Sequence, residues 1–162
     1  MLAVDPDRFR RWIAFHEVAH AAEFGAAPWL SEHMESNMEE AIEGLTEGSI
    51  DRTSLGALDT TMTAVEGYAE LVMDRAFDDE YDDLRRKVDE RRQGRGPIAT
   101  LVRRFLGLGM KRQQYERGKA FFDAVADARG VGAAGRVWDS PEMLPTDDEI
   151  ETPSLWLDRV DP

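Results

Sequence analysis

At 162 residues the chain has room for one hydrophobic core and is short for two, so a single domain spanning 1–162 is expected. It contains no cysteine, which excludes disulfides, a thiolate nucleophile and Cys-ligated zinc, and leaves His and carboxylates as donors for any metal. A net charge of −13, with Arg outnumbering Lys seventeen to three, argues against nucleic acid as the partner and suits an acidic, halophilic kind of surface.

The first predicted helix runs from Asp5 to Ala26, with Asp5 as N-cap and Pro6 at the first helical position, where its missing N–H is harmless. Within it WIAFHEVAHAAEF carries His16, Glu17 and His20 in the order H-E-x-x-H. Histidines at i and i+4 lie one turn apart on one helix face, so both rings can reach a single metal ion, with Glu17 projecting beside it. Trp12, Ile13, Ala14, Phe15, Val18, Ala19, Ala21, Ala22 and Phe24 surround these three groups, which predicts a largely buried helix. Two histidines and a carboxylate in such a setting are unfavourable unless paired, hydrogen-bonded or ligating a metal.

Gly25 and Pro28 close that helix, and helical spacing resumes with a stripe of Leu30, Met34, Met38, Ile42 and Leu45. A loop with three glycines is expected from Gly44 to Leu58, and a third helix from Asp59 or Thr60 onward, with Met62, Val65, Ala69, Val72, Met73 and Phe77 inward. A charged segment follows from Asp79 to about Arg92, where arginines alternate with acids as on a solvated face. A short apolar stretch then opens at Pro97. The next helix, KRQQYERGKAFFDAVADAR, can turn Tyr115, Phe121, Phe122 and Val125 to the core. GVGAAG at Gly130–Gly135 matches G-x-G-x-x-G but follows a helix, so it reads as a helix cap and loop, without dinucleotide context. From Gly130 an irregular, proline-punctuated tail carries Trp138, Met143, Leu144, Ile150, Leu155, Trp156 and Leu157, too apolar to be free, and is expected to pack back on the helices. With no alternating strand pattern anywhere, the fold class is all-α. No run of about 18 apolar residues predicts a membrane span, and MLAVDPDRFRRW lacks the features of a signal peptide, so a cytoplasmic location is expected.

A catalytic zinc takes three protein ligands and keeps one position for water, so H-E-x-x-H needs a further donor. The candidates are His33 and, in the EGYAE element of the third helix, Glu66 and Glu70. Gly67 lets a neighbouring helix approach while the Glu66 carboxylate points across the gap. Thr63 and Glu66 also fit a capping box, which would give Glu66 a helix-start role instead. Glu70 and His33 are candidates for hydrogen-bonding or flanking the ligands.

HEVAHAAEFGAAPWLSEHM, EGYAELVMD, GLGMKRQQYERGKAFFDAV and VWDSPEMLPTDDEIETPSLWLDRV together resemble the zincin-like metalloprotease or hydrolase family of actinobacteria and haloarchaea, some of whose members are labelled as associated with deazaflavin-coenzyme biosynthesis. The resemblance implies a zincin-like helical domain built on the H-E-x-x-H helix. It also implies the C-terminal, motif-bearing part of a longer architecture, since members carry an additional N-terminal helical portion. By similarity of E-G-aromatic-A to gluzincin peptidases, the third ligand role falls on Glu66.

The expected activity is therefore zinc-dependent hydrolysis of a peptide or small amide. His16, His20 and Glu66 would hold Zn²⁺, Glu17 would act as general base and acid, and Tyr115 would donate to the oxyanion, with His33 as the second choice. The rival expectations are a non-catalytic zinc-stabilised helical domain and a metal-free acidic interaction module. Homo-oligomerisation or the longer architecture's N-terminal region could complete a cleft.

Overall fold

The computed structural model of the chain describes residues 5–48, 52–77 and 112–162, with side chains in the last block from Glu116 onward. Among these residues every regular element is helical: α1 Pro6–Ala26, α2 Trp29–Thr46, α3 Arg52–Ala76, α4 Arg112–Arg129, α5 Val131–Gly135, α6 Asp147–Glu151 and α7 Pro153–Val160. Two 3₁₀ turns, Arg136–Trp138 and Pro141–Met143, lie between α5 and α6. The fold is all-α. No described helix is long and apolar enough to cross a membrane. The charged segment 79–92 and the apolar stretch opening at Pro97 lie outside the described residues.

The first helix starts as its sequence dictates. Asp5 accepts hydrogen bonds from the backbone N–H groups of Asp7 (2.9 Å) and Arg8 (3.3 Å), and Pro6 follows it. Burial of α1 is narrower than the apolar composition predicts. It buries one stripe, Trp12, His16, Ala19 and Glu23, whereas Phe15 and Val18 are 40% and 64% exposed. The reason is that among the described residues α1 packs chiefly on a single neighbour, α3. One neighbour covers only one arc of a helix, whatever the rest of its surface is made of.

The loop expected from Gly44 to Leu58 is shorter than its glycines suggest. α2 continues to Thr46 and α3 begins at Arg52, so Gly44 and Gly56 are helical. A helix-interior glycine is unfavourable by about 1 kcal/mol relative to alanine. Packing outweighs that here, with Ser54 buried against α2 and its hydroxyl donating to Glu40 at 2.8 Å. The stripe expected on α2 is also rotated. Leu30 and Ala41 are buried, and Met38, Ile42 and Leu45 face solvent. Because α3 starts eleven residues before Thr63, no capping box forms there. Thr63 instead donates back to the Asp59 carbonyl at 2.7 Å, which frees Glu66 from any helix-start role.

The core sits where α3 crosses α4, around Val65, Leu71, Phe121, Phe122, Val125 and Trp156. At the crossing two glycines meet backbone to backbone: a Cβ on Gly67 would lie 2.4 Å from the carbonyl carbon of Gly118. The chain after Gly130, which ends α4 with φ of +89°, does pack back on these helices, as short helices set apart by prolines. Two tryptophan N–H groups pin it, Trp156 to the Met143 carbonyl (2.8 Å) and Trp29 to the Trp138 carbonyl (3.2 Å).

Arg159 closes the tail with a forked contact to Glu149, 2.6 Å from Nε to Oε1 and 3.0 Å from the terminal nitrogen to Oε2. Glu149 also completes a capping box with Thr146. Burial pushes the Glu149 carboxyl up, but the Arg159 and Thr146 hydrogen bonds outweigh it and hold its pKa below the ordinary glutamate value. Its stabilising contribution is thus present above about pH 4.3, the unfolded value, and is lost as pH falls through the lower folded value. In urea titrations the parent should lose stability through this acid window with a steeper slope than Glu149→Gln; parallel curves would refute the assignment.

Candidate metal centre

α1 and α3 run antiparallel, with Trp12 packed near Met73 at one end and the histidine turn facing Glu66 further along. The buried stripe of α1 places His16 inside, 5% exposed, stacked on Trp12 with ring centroids 5.7 Å apart. His20, one turn later, is partly open to solvent. Its Nε2 lies 3.1 Å from Nε2 of His16, and each of these atoms lies 3.7 Å from Oε2 of Glu66. Glu66 itself is 2% exposed, on the stretch of α3 that α1 and α4 cover from two sides. Three donor atoms from two helices therefore converge on one point.

Their spacing can be compared with that of a real coordination shell. Nitrogen and oxygen ligands at about 2.0–2.2 Å from a tetrahedral zinc stand about 3.4 Å from one another. The observed 3.1 and 3.7 Å bracket that value. The donor set, two imidazoles and a carboxylate, is also the kind that catalytic zinc takes.

The electrostatics point the same way. Burial lowers the His20 pKa, but its hydrogen bond to Glu23 and the fields of Glu23, Glu66 and Glu17 outweigh that and raise it. Glu23, 2% exposed, has its pKa pushed up to about 7, chiefly by burial, with partial relief from His20 and an added push from Glu66. Carboxylates gathered about two imidazoles, with His16, Glu23 and Glu66 buried, are suited to a cation.

The remaining candidate residues fall in different places. Glu17 is exposed, on the same turn as both histidines. Glu70 is buried one turn beyond Glu66. His33 is on α2, its Nε2 3.4 Å from both the Thr61 hydroxyl and the Asn37 amide, with its ring against Trp29. Tyr115 belongs to α4, and its side chain lies outside the described residues. Sequence reasoning missed Glu23, whose Oε2 lies 2.8 Å from Nδ1 of His20. The signal was available, because an acid three residues after a histidine on one helix is within reach of its ring.

Comparisons with known proteins give the family and a similar fold. A family model described as zincin-like metallopeptidase matches residues 1–54 and 48–157. The chain belongs to the zincin-like metallopeptidase family. Zincin-like proteins imply a metal, usually zinc, and His16, His20 and Glu66 are the group among the described residues able to hold one. A crystal structure from Chloroflexus aurantiacus, described as a candidate hydrolase with a novel fold, is similar to this zincin-like chain with a TM-score of 0.76 and 35% identity. The match covers 98% of this chain and 53% of the other, so this chain spans about half the length of that structure. No curated protein matches it.

Proposed function

We propose that this zincin-like chain is the metal-bearing part of a zinc-dependent hydrolase, most simply a metallopeptidase acting on a peptide or small amide within the cytoplasm. The observation that carries this reading is the convergence of His16, His20 and Glu66 with an exposed Glu17 on the same helical turn. Zinc, when bound, supplies a Lewis acid that lowers the pKa of a water toward about 7 and polarises a carbonyl. His16 and His20 would hold it as neutral donors and Glu66 as the anionic one.

Glu17 has the exposure that its role requires. As general base it accepts a proton from the attacking water on its carboxylate oxygen, and as general acid it returns that proton to the leaving amine. The developing oxyanion needs a further donor. Tyr115 is the proposed donor for that task and His33, whose Nε2 lies 3.4 Å from the Thr61 hydroxyl and the Asn37 amide, the second choice.

Glu17→Gln tests the reading directly. The amide keeps the shape of the side chain and the three metal donors but cannot take the proton. Zinc content should stay at one per chain, while cleavage of a quenched fluorescent peptide library falls about 10²- to 10⁴-fold. A variant that cleaves as fast as the parent would remove Glu17 from the chemistry.

A second reading has its own support. Among the described residues the apolar cluster joining α1 and the end of α3 is small, Trp12 and Met73 with Phe9, Ile13 and Phe77 around them and Phe15 edge-on to Phe77. A metal bridging the two helices could then serve to hold α1 in place. On that reading zinc raises the melting temperature and no peptide of the library is cleaved by the parent.

A further inference from the structure

Glu23 is a carboxylate with an unusual address. It closes the buried stripe Trp12, His16, Ala19 and Glu23 of α1, and only 2% of its surface reaches solvent, in a chain that keeps most of its acids outside. Burying a carboxylate is unfavourable unless a specific partner compensates it. Its Oε2 has that partner, Nδ1 of His20 at 2.8 Å, whereas its Oε1 has no hydrogen-bond donor among the described residues. The contacts of this buried charge are thus directed at one imidazole.

That imidazole is held along one helix from both edges. Nδ1 faces Glu23, three residues ahead, and Nε2 faces His16, four residues behind, at 3.1 Å. A neutral histidine can carry its proton on either nitrogen, and in water it prefers Nε2. That tautomer would push an N–H into the space between His16 and Glu66 and remove the lone pair a metal needs.

We infer that Glu23 is a positioning residue for the metal centre, accepting the Nδ1–H of His20 so that its Nε2 lone pair faces His16 and Glu66. The inference rests on the metal-centre reading for its purpose, but its chemical content belongs to the metal-free protein. A carboxylate on the far nitrogen also fixes the plane of the ring and makes Nε2 a stronger donor. A residue that merely filled space at position 23 would do none of these things.

The tautomer can be observed directly. In metal-free, ¹⁵N-labelled protein at pH 9, long-range ¹H–¹⁵N correlation should show His20 protonated at Nδ1 in the parent and shifted to the Nε2–H form in Glu23→Ala. Zinc affinity, read by competition with a chromophoric chelator, should fall about 10- to 100-fold in Glu23→Ala. Glu23→Gln keeps an oxygen acceptor, so it should restore the Nδ1–H tautomer and lie between the two in affinity. A parent spectrum showing Nε2–H at His20 would overturn the inference, as would a folded Glu23→Ala that binds zinc like the parent. If Glu23→Ala does not fold, the parent spectrum and Glu23→Gln still decide. Failure of the metal-centre reading is a separate result, a parent that takes up no zinc, and the tautomer measurement judges Glu23 regardless.

Discussion

Replacing Glu66 with alanine is expected to abolish stoichiometric zinc uptake, and His16→Ala is expected to match it. Structural zinc sites with four donors bind with about 10–16 kcal/mol of apparent free energy, so the loss of one protein donor is expected to forfeit on the order of 3–4 kcal/mol, roughly several hundred- to a thousandfold in Kd. Glu66 would carry a further share as the anionic donor of the proposed set. It also comes from α3, where both other proposed donors come from α1, so a bound ion would bridge the two helices only through Glu66. Stability should report the same loss. With zinc at 1,000 times its Kd, the parent gains about 4 kcal/mol through mass action and melts later, and Glu66→Ala should show no zinc-dependent shift. Elemental analysis and melting with and without zinc are the measurements. Glu35→Ala, at an exposed position on α2, serves as the control that keeps both. A Glu66→Ala protein holding one zinc at the parent's affinity would remove Glu66 from the centre.

Gly118→Ala is expected to destabilise the fold by more than about 3 kcal/mol and to disturb the metal centre without touching a ligand. A Cβ at Gly118 would stand 2.2 Å from the carbonyl oxygen of Thr63 and 3.1 Å from Cα of Gly67. Both obstacles are backbone, which cannot rotate away, so α4 must separate from α3 across the buried core. Overpacking of cores typically costs 1–3 kcal/mol when side chains can adjust, and here they cannot relieve the clash. Gly67→Ala meets Gly118 at 2.4 Å from the opposite side and should behave alike. Glu66 is the neighbour of Gly67, so a shift of α3 at this crossing moves a proposed metal donor. Urea midpoints should fall for either variant, with zinc affinity falling alongside. Substitution at the exposed Gly25, where nothing lies within 4 Å of a new Cβ, should leave both quantities near the parent.

Much of this centre was legible as chemistry before it was legible as geometry. H-E-x-x-H places His16 and His20 on one face because a helix repeats every 3.6 residues, and that relation needs no tertiary information. Asp5 and Pro6 announced the start of α1 through the same local logic. Composition narrowed the third donor to His33, Glu66 or Glu70, since cysteine is absent; it was the similarity of the EGYAE element to gluzincin peptidases that singled out Glu66, and Gly67 beside it foretold a close helix crossing. The capping-box alternative for Glu66 could not be dismissed from local sequence. It failed because α3 extends back to Arg52, a boundary set by packing of Ser54 on α2 and against the weak preference of Gly56.

Local periodicity therefore specified which residues share a helix face, the donor chemistry of the site and the all-helical class. It could not specify which arc of each helix finds a neighbour. The stretch Trp12–Phe24 of α1 is rich in apolar residues on every side, yet it buries a single stripe; α2 turns Ala41 inward and leaves Met38 and Ile42 in solvent. Those choices belong to the assembled helices, because burial depends on what lies opposite a face as much as on what the face is made of. The same holds for Glu23 and Gly118. One is an ordinary acid and the other an ordinary glycine until α1, α3 and α4 come together and put a histidine ring beside the first and a backbone against the second.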